Sequence, residues 1–309
     1  MGPLLFNIDI CDLFMFLLED ETDVANYADD NSPFSCEENS ISVIKDLENV
    51  AKILLNWFAN NRFKANPDKF HLILSDPKKE LFMEIGHLKI HNESSHKLLG
   101  ITIDNKLSFE KHITELCKKA SQKLHALSRI ASYMQERQKR QIMKAFISAQ
   151  FSYCPIVWMF HSRKLNHRIN NIHKRAPCIV YDDYVSSFTQ LLLKDNSVTI
   201  HVRNIQALAI ELYKVTKGLS PLIMSEVFIL KEEQKYPTSN IFKTRNMHTT
   251  AFGLQSLSYL GPKIWNLIPT DLKTLDSYEL FKRKIRQTIP KKCPCKLCKN
   301  YIHQIGYID

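Results

Sequence analysis

Apolar positions recur along this chain with two different periods, and the change of period divides it. Residues 2–18, GPLLFNIDICDLFMFLL, are almost continuously apolar and are entered through Gly2 and Pro3, which predicts a buried helix with proline in its first turn. The short stretch VANYADD at 24–30 ends in two adjacent carboxylates, Asp29 and Asp30. Ile44, Leu47, Ala51, Leu54 and Phe58 repeat at spacings of three and four, predicting an amphipathic helix that Asn39 or Ser40 would cap. The runs 71–75, 81–85 and 98–103 are short, β-rich and separated by turn residues, so a small antiparallel sheet is expected there. From Phe109 the helical period returns. Phe109, His112, Ile113, Leu116, Ala120, Leu124 and Leu127 form one stripe on a basic background, and further helices are expected over 136–151, 164–180, 201–217 and 276–289.

Composition adds bounds. Hydrophobic residues make up 44% and charged residues 24%, which suits a folded domain or two. Seven glycines are too few for a glycine-punctuated sandwich or a phosphate-cradling loop. No apolar run of about 18 residues is present to span a membrane, and the apolar start carries Asp9 and Asp12 without a basic segment, unlike a secretory signal. Five of the eight cysteines are scattered and three cluster near the end, which is no disulfide framework. A reducing, intracellular setting, nuclear or cytoplasmic, is therefore expected.

The net charge of +10 hides an asymmetry. Residues 1–100 hold 9 Lys/Arg against 17 Asp/Glu, a balance of −8, whereas residues 101–309 hold 33 against 15, a balance of +18. The basic part suggests a polyanionic partner, RNA or DNA, against an equally weighted reading as a solvated surface. Candidate phosphate contacts fall in runs: Lys118 and Lys119; Arg137 and Arg140; Lys174 and Arg175; Lys282, Arg283, Lys284 and Arg286.

YADD at 27–30 is the most informative tetrapeptide. Phosphoryl transfer by polymerases uses two divalent metals held by carboxylates, and a tight hairpin can push Asp out of a sheet toward them. Taken alone, Asp29-Asp30 reads first as a solvated turn. Its surroundings change that reading. GPLLFNIDICDL at 2–13, YADD, a helix with Trp57-Phe58, NPDK at 66–69 and LLGITID at 98–104, in that order, resemble the reverse transcriptases of jockey-like non-LTR retrotransposons. YCPIVW at 153–158, NIHKRA at 171–176, GPKIWNLIP at 261–269 and Phe281-Lys282 resemble the same family's post-palm region, as do Arg203 and Tyr213.

The resemblance implies an α+β fold: a truncated reverse-transcriptase palm at 1–105, with a small antiparallel sheet plus helices, followed by a mainly α-helical basic thumb and post-palm region at 106–290 and a Cys-rich basic tail at 291–309. It implies that Asp29 binds catalytic Mg²⁺ with Asp30 beside it, and that Tyr27 supports the hairpin near the primer end. Lys69 would protonate the leaving pyrophosphate, an assignment set evenly against an exposed turn lysine. Leu99 and Gly100 would position the primer strand, with an ordinary strand bulge as the alternative for Gly100. The family's other metal-binding Asp and its fingers precede the GPLLF motif. The chain is thus expected to be a fragment of an RNA-directed DNA polymerase, inactive alone and using deoxynucleoside triphosphates only if fingers are supplied. The alternatives are a basic nucleic-acid-binding module without catalysis and a decayed mobile-element remnant.

Cys293, Cys295, Cys298 and His303 place four soft or borderline ligands within eleven residues. Such a set suits structural Zn²⁺, set slightly behind the reading of three reduced surface cysteines in a basic tail. The other histidines are scattered. Trp57, Trp158 and Trp265 sit in apolar contexts and are expected in the core.

Overall fold

The computed structural model describes residues 2–13, 23–75, 81–231, 241–247, 249, 253–288, 295 and 297, and the chain divides into two units, Met1–Lys106 and Leu107–Asp309.

In the first unit, helix α1 (Gly2–Asp9) is followed by hairpin β1 (Val24–Tyr27) and β2 (Asp30–Pro33), then by the long helix α2 (Ser40–Asn60). Asn39 caps α2, its side-chain oxygen accepting from the backbone N–H groups of Ile41 and Ser42 at 3.0 and 2.9 Å. Two more hairpins follow, β3 (Phe82–Ile85) with β4 (Leu88–His91) and β5 (Ser95–Leu98) with β6 (Ile101–Asp104). Helix α2 braces this unit because it carries two apolar strips. Leu47 and Ala51 pack with Leu72, Leu74, Met83, Ile85 and Ile90. Val50, Leu54 and Trp57 pack with Ile10 and Leu13, flanked by Phe6, Val24 and Phe63.

Two expectations need correction here. Instead of one small sheet, the described residues form three separate two-stranded sheets, and 71–75 joins them only through a bridge between Leu72 and Asn92. Each hairpin closes on its own short turn, and no strand pairs beyond its own partner. Nor is α1 buried all round: Leu4, Leu5 and Ile8 are 66%, 55% and 58% exposed. Only the face carrying Phe6 meets α2, so the other side of the apolar run has no packing partner among the described residues.

The second unit is helical. Helices α3 (Glu110–Ile130) and α5 (Arg163–Tyr181) pack along their length, and the stripe read from sequence points inward, with Ile113, Ala120, Leu124 and Leu127 essentially inaccessible. Between them α4 (Glu136–Ile142) does not run on to residue 151. It widens into a π-helix over Met143–Ile147 and tightens to a 3₁₀ turn over Ser148–Phe151. Met143, Ile147 and Phe151 are all buried and lie four apart. Their four-residue spacing keeps these side chains on one face of the segment, toward the core.

Helices α6 (Phe188–Asp195), α7 (Ile200–Thr216), α8 (Leu222–Val227), α9 (Leu257–Asn266) and α10 (Tyr278–Ile285), with short single-turn helices at Pro155–Trp158 and Thr270–Lys273, complete the unit. Its core centres on α7. Tyr213 stacks on Phe281 at 4.1 Å and donates its hydroxyl to the carbonyl of Leu275 at 2.7 Å, while Trp265 meets Phe242 edge-on at 5.7 Å. All three tryptophans of the chain are buried. The GPKIWN segment is part of this core. A Cβ added at Gly261 would lie 2.4 Å from the Phe228 ring, so glycine permits α9 to approach the buried phenylalanine.

Two outcomes follow from this packing. Gly261→Ala should destabilise the second unit by about 1–3 kcal/mol through overpacking against Phe228, read from urea denaturation; an unchanged midpoint would contradict the close approach. The second concerns acid. Burial pushes His161 down to about 4 from its ordinary 6.5, so between those pH values the unfolded chain binds a proton that the folded chain excludes. Stability is full above pH 6.5 and falls as pH drops toward 4, by about 3 kcal/mol from this residue. A His161→Asn variant should lose one proton's worth of that slope in a pH series of unfolding curves.

Candidate functional site

The YADD segment forms the β1–β2 hairpin, with Tyr27 opposite Asp30 and Asn26 opposite Asn31 in register. Ala28 takes the left-handed conformation at φ +53°, which closes the turn and leaves Asp29 at its tip. Asn31 steadies the tip by donating its side-chain amide to the carbonyl of Asp29 at 3.4 Å. Along β1 the inward residues are Val24 and Asn26, so Tyr27 points outward, 67% exposed, and Asp29 and Asp30 are both exposed. The anchor is apolar and local: Val24 packs against the cluster containing Trp57 on α2.

Lys69 ends the 3₁₀ turn Pro67–Lys69, which Asn66 caps by accepting from the N–H of Asp68 at 3.1 Å, and its side chain is exposed. Leu99 and Gly100 are the two central residues of the β5–β6 turn, at φ +44° and +86°. Positive φ at both positions is the pattern of a tight hairpin turn, so Gly100 sits at a turn rather than in a strand bulge. The three sequence-predicted positions thus occupy three exposed turns of the first unit.

Asp29 and Asp30 have the hard oxygen donors that Mg²⁺ prefers. Among the described residues, however, they belong to no group of three Asp, Glu, His or Cys ligands within metal-sharing reach. The donor type fits the ion, but the number does not fit a two-metal site. The group that does come together was not foreseen: His71, Glu93 and His96. Glu93 contacts His71 Nδ1 at 2.6 Å and His96 Nδ1 at 3.5 Å, and the two imidazoles stack at 3.7 Å. The bond to His71 draws the Glu93 carboxyl below the usual range. The Glu93 N–H to Leu72 carbonyl bond at 2.8 Å brings these distant residues together.

In the second unit Lys118, Lys119, Arg137, Arg175, Arg283, Lys284 and Arg286 are exposed, while Lys174 and Lys282 are half-buried. Lys282 lies 5.3 Å over the Tyr278 ring and 3.4 Å from Glu279. Arg140, read as a phosphate contact, is instead engaged internally. Its Nε donates to Asp195 Oδ1 at 2.7 Å and its guanidinium also reaches the Asp195 carbonyl. Asp195 is a buried carboxylate and requires that cation.

Cys293, Cys298 and His303 lie outside the described residues. Cys295 is fully buried, with its Sγ 3.4 Å from Nε2 of the buried His201. It is therefore no surface thiol: it packs with Leu297 into the core around α7.

Over 195 residues the chain is 25% identical to the probable RNA-directed DNA polymerase from transposon BS of Drosophila melanogaster, a match covering 59% of this chain and 21% of that protein. The chain thus spans about a fifth of the length of that relative. No family model and no solved structure matches. No helix among the described residues is long and apolar enough to cross a membrane. The likeness supports a reverse-transcriptase-related origin for this chain.

Proposed function

We propose that the chain is part of an RNA-directed DNA polymerase of the non-LTR retrotransposon kind, working on RNA and DNA. The observation that carries this reading is the hairpin that presents Asp29 and Asp30 on an exposed tip, set beside the likeness to the transposon polymerase. In this reading Asp29 holds Mg²⁺ with Asp30 next to it. Tyr27 lies along the primer end, Leu99 and Gly100 hold the primer strand at a bare turn, and Lys69 supplies a proton to the departing pyrophosphate. The basic second unit grips the sugar–phosphate backbone, because its exposed cations sit on helix surfaces while its tryptophans are consumed in the core. A non-catalytic nucleic-acid-binding module is the second reading, and the +18 balance of residues 101–309 favours it.

Primer extension separates these readings, and salt tests the nucleic-acid binding they share. The full chain should bind unrelated RNA–DNA hybrids alike, at about 10⁻⁴ to 10⁻⁶ M in physiological salt, with log affinity falling linearly in log salt. A flat salt dependence would overturn backbone binding by either reading. Extension of a primer on an RNA template with Mg²⁺ or Mn²⁺ is expected to be absent, since the described residues supply too few ligands for two metals. Extension that disappears in Asp29→Ala would show that the chain supplies a complete metal site and would remove the non-catalytic reading.

A further inference from the structure

The second unit contains a cleft of about 490 Å³, whose wall includes Lys144, His173, Asp195, Arg203, Gln206 and Arg286. Its charges do not balance internally. Arg203 stands on the first turn of α7, and its pKa is drawn down by burial alone. The guanidinium carries five N–H donors, yet its hydrogen bond goes to the Ser148 carbonyl, at 3.2 Å, and no carboxylate pairs with it among the described residues. A partly desolvated cation without a counter-anion is costly. The acid on the wall cannot serve it, because Asp195 is taken by Arg140 and by the Tyr181 hydroxyl at 2.9 Å.

The other groups lining the cleft suit an incoming anion. Arg286 is exposed and is held at the wall by its own backbone, whose carbonyl accepts from the buried Gln206 amide at 3.2 Å, with the Thr288 carbonyl accepting at 2.8 Å. Lys144 projects from the π-helix, a form of turn often found at functional sites. His173 packs edge-on against Phe188 at 5.3 Å, and its Nδ1 is buried with no hydrogen-bond partner. Burial and the neighbouring Arg203 push His173 down to about 4, with Asp195 opposing them.

We propose that this cleft binds a phosphate group, with Arg203 as the fixed cation and Arg286 and Lys144 closing on the anion from the rim. A planar guanidinium matches two phosphate oxygens at once, and the volume admits a nucleotide around the phosphate. The phosphate chemistry rests on these charges alone; identifying its source as a nucleic-acid strand rests on the proposed function above. An anion beside His173 would also favour its protonated form against the Arg203 charge, so phosphate binding should raise the His173 pKa. The charged groups facing that ring are Arg203 from α7 and Asp195 from α6, and Lys144 and Arg286 line the same cleft.

The test is calorimetric titration of the full chain with inorganic phosphate, adenosine monophosphate and a short oligouridylate, repeated on Arg203→Gln and Arg286→Gln. Each substitution should weaken phosphate binding about tenfold or more. Arg286→Gln, at an exposed position, should keep the wild-type unfolding midpoint, and the His173 proton resonance should titrate at higher pH with phosphate present. Phosphate binding that is absent in the wild-type chain, or unchanged from wild type in both variants, overturns the site. If the full chain still binds RNA with a steep salt dependence in that case, the cleft is refuted and the nucleic-acid reading stands. If phosphate and the monophosphate bind through Arg203 but oligouridylate does not compete, the site is upheld and its assignment to a strand is overturned.

Discussion

A carboxylate that is only 4% exposed must be paired, and the second unit is organised around meeting that need at Asp195. Asp195 ends helix α6, Arg140 belongs to α4, and Tyr181 ends α5. One oxygen of Asp195 accepts from both the guanidinium and the phenol, so three helix ends are drawn to one point. The π-helix then begins three residues after Arg140. It carries the buried Met143 and Ile147 while the chain passes the first turn of α7, where the Ser148 carbonyl meets Arg203. Because Asp195 is already committed to Arg140, the nearby Arg203 is left with a backbone carbonyl in place of an acid. The arrangement that settles one buried charge leaves another unsettled, and the cleft lies between them.

The first unit depends on a simpler constraint. Its strands are four residues long and each pairs with one neighbour, so no sheet among the described residues is wide enough to bury a face against itself. Helix α2 supplies the missing layer, with Leu47 and Ala51 serving one hairpin and Val50, Leu54 and Trp57 serving another. Rigid support at the base of the β1–β2 hairpin and a bare tip follow from the same alternation, since in a strand every second residue faces away from the helix. That alternation turns Val24 inward and Tyr27 outward.

The parts of this protein legible in the sequence are those decided within a few residues. The stripe from Ile113 to Leu127 is inward-facing, Asn39 caps its helix, and the tryptophans are buried. The turn at Ala28 likewise follows from short-range backbone geometry, whereas 98–103, read as one β-rich run, is broken by the turn at Leu99-Gly100. Tertiary structure decided the rest. An apolar run such as 2–13 does not state which of its sides will find a partner, and Leu4, Leu5 and Ile8 found none among the described residues. Residues 71–75 read as a strand but meet a neighbour at one bridge only. The charges depend most on distance along the chain. Arg140 looks like any other cation in a basic run until Asp195, 55 residues later, folds onto it, and Arg203 is separated by the same 55 residues from Ser148. The pairing of Cys295 with His201 spans 94 residues. Periodicity records how each segment meets its nearest layer, whereas the partner of a charge or a thiol is set by which distant segments the closed core brings within 3 or 4 Å.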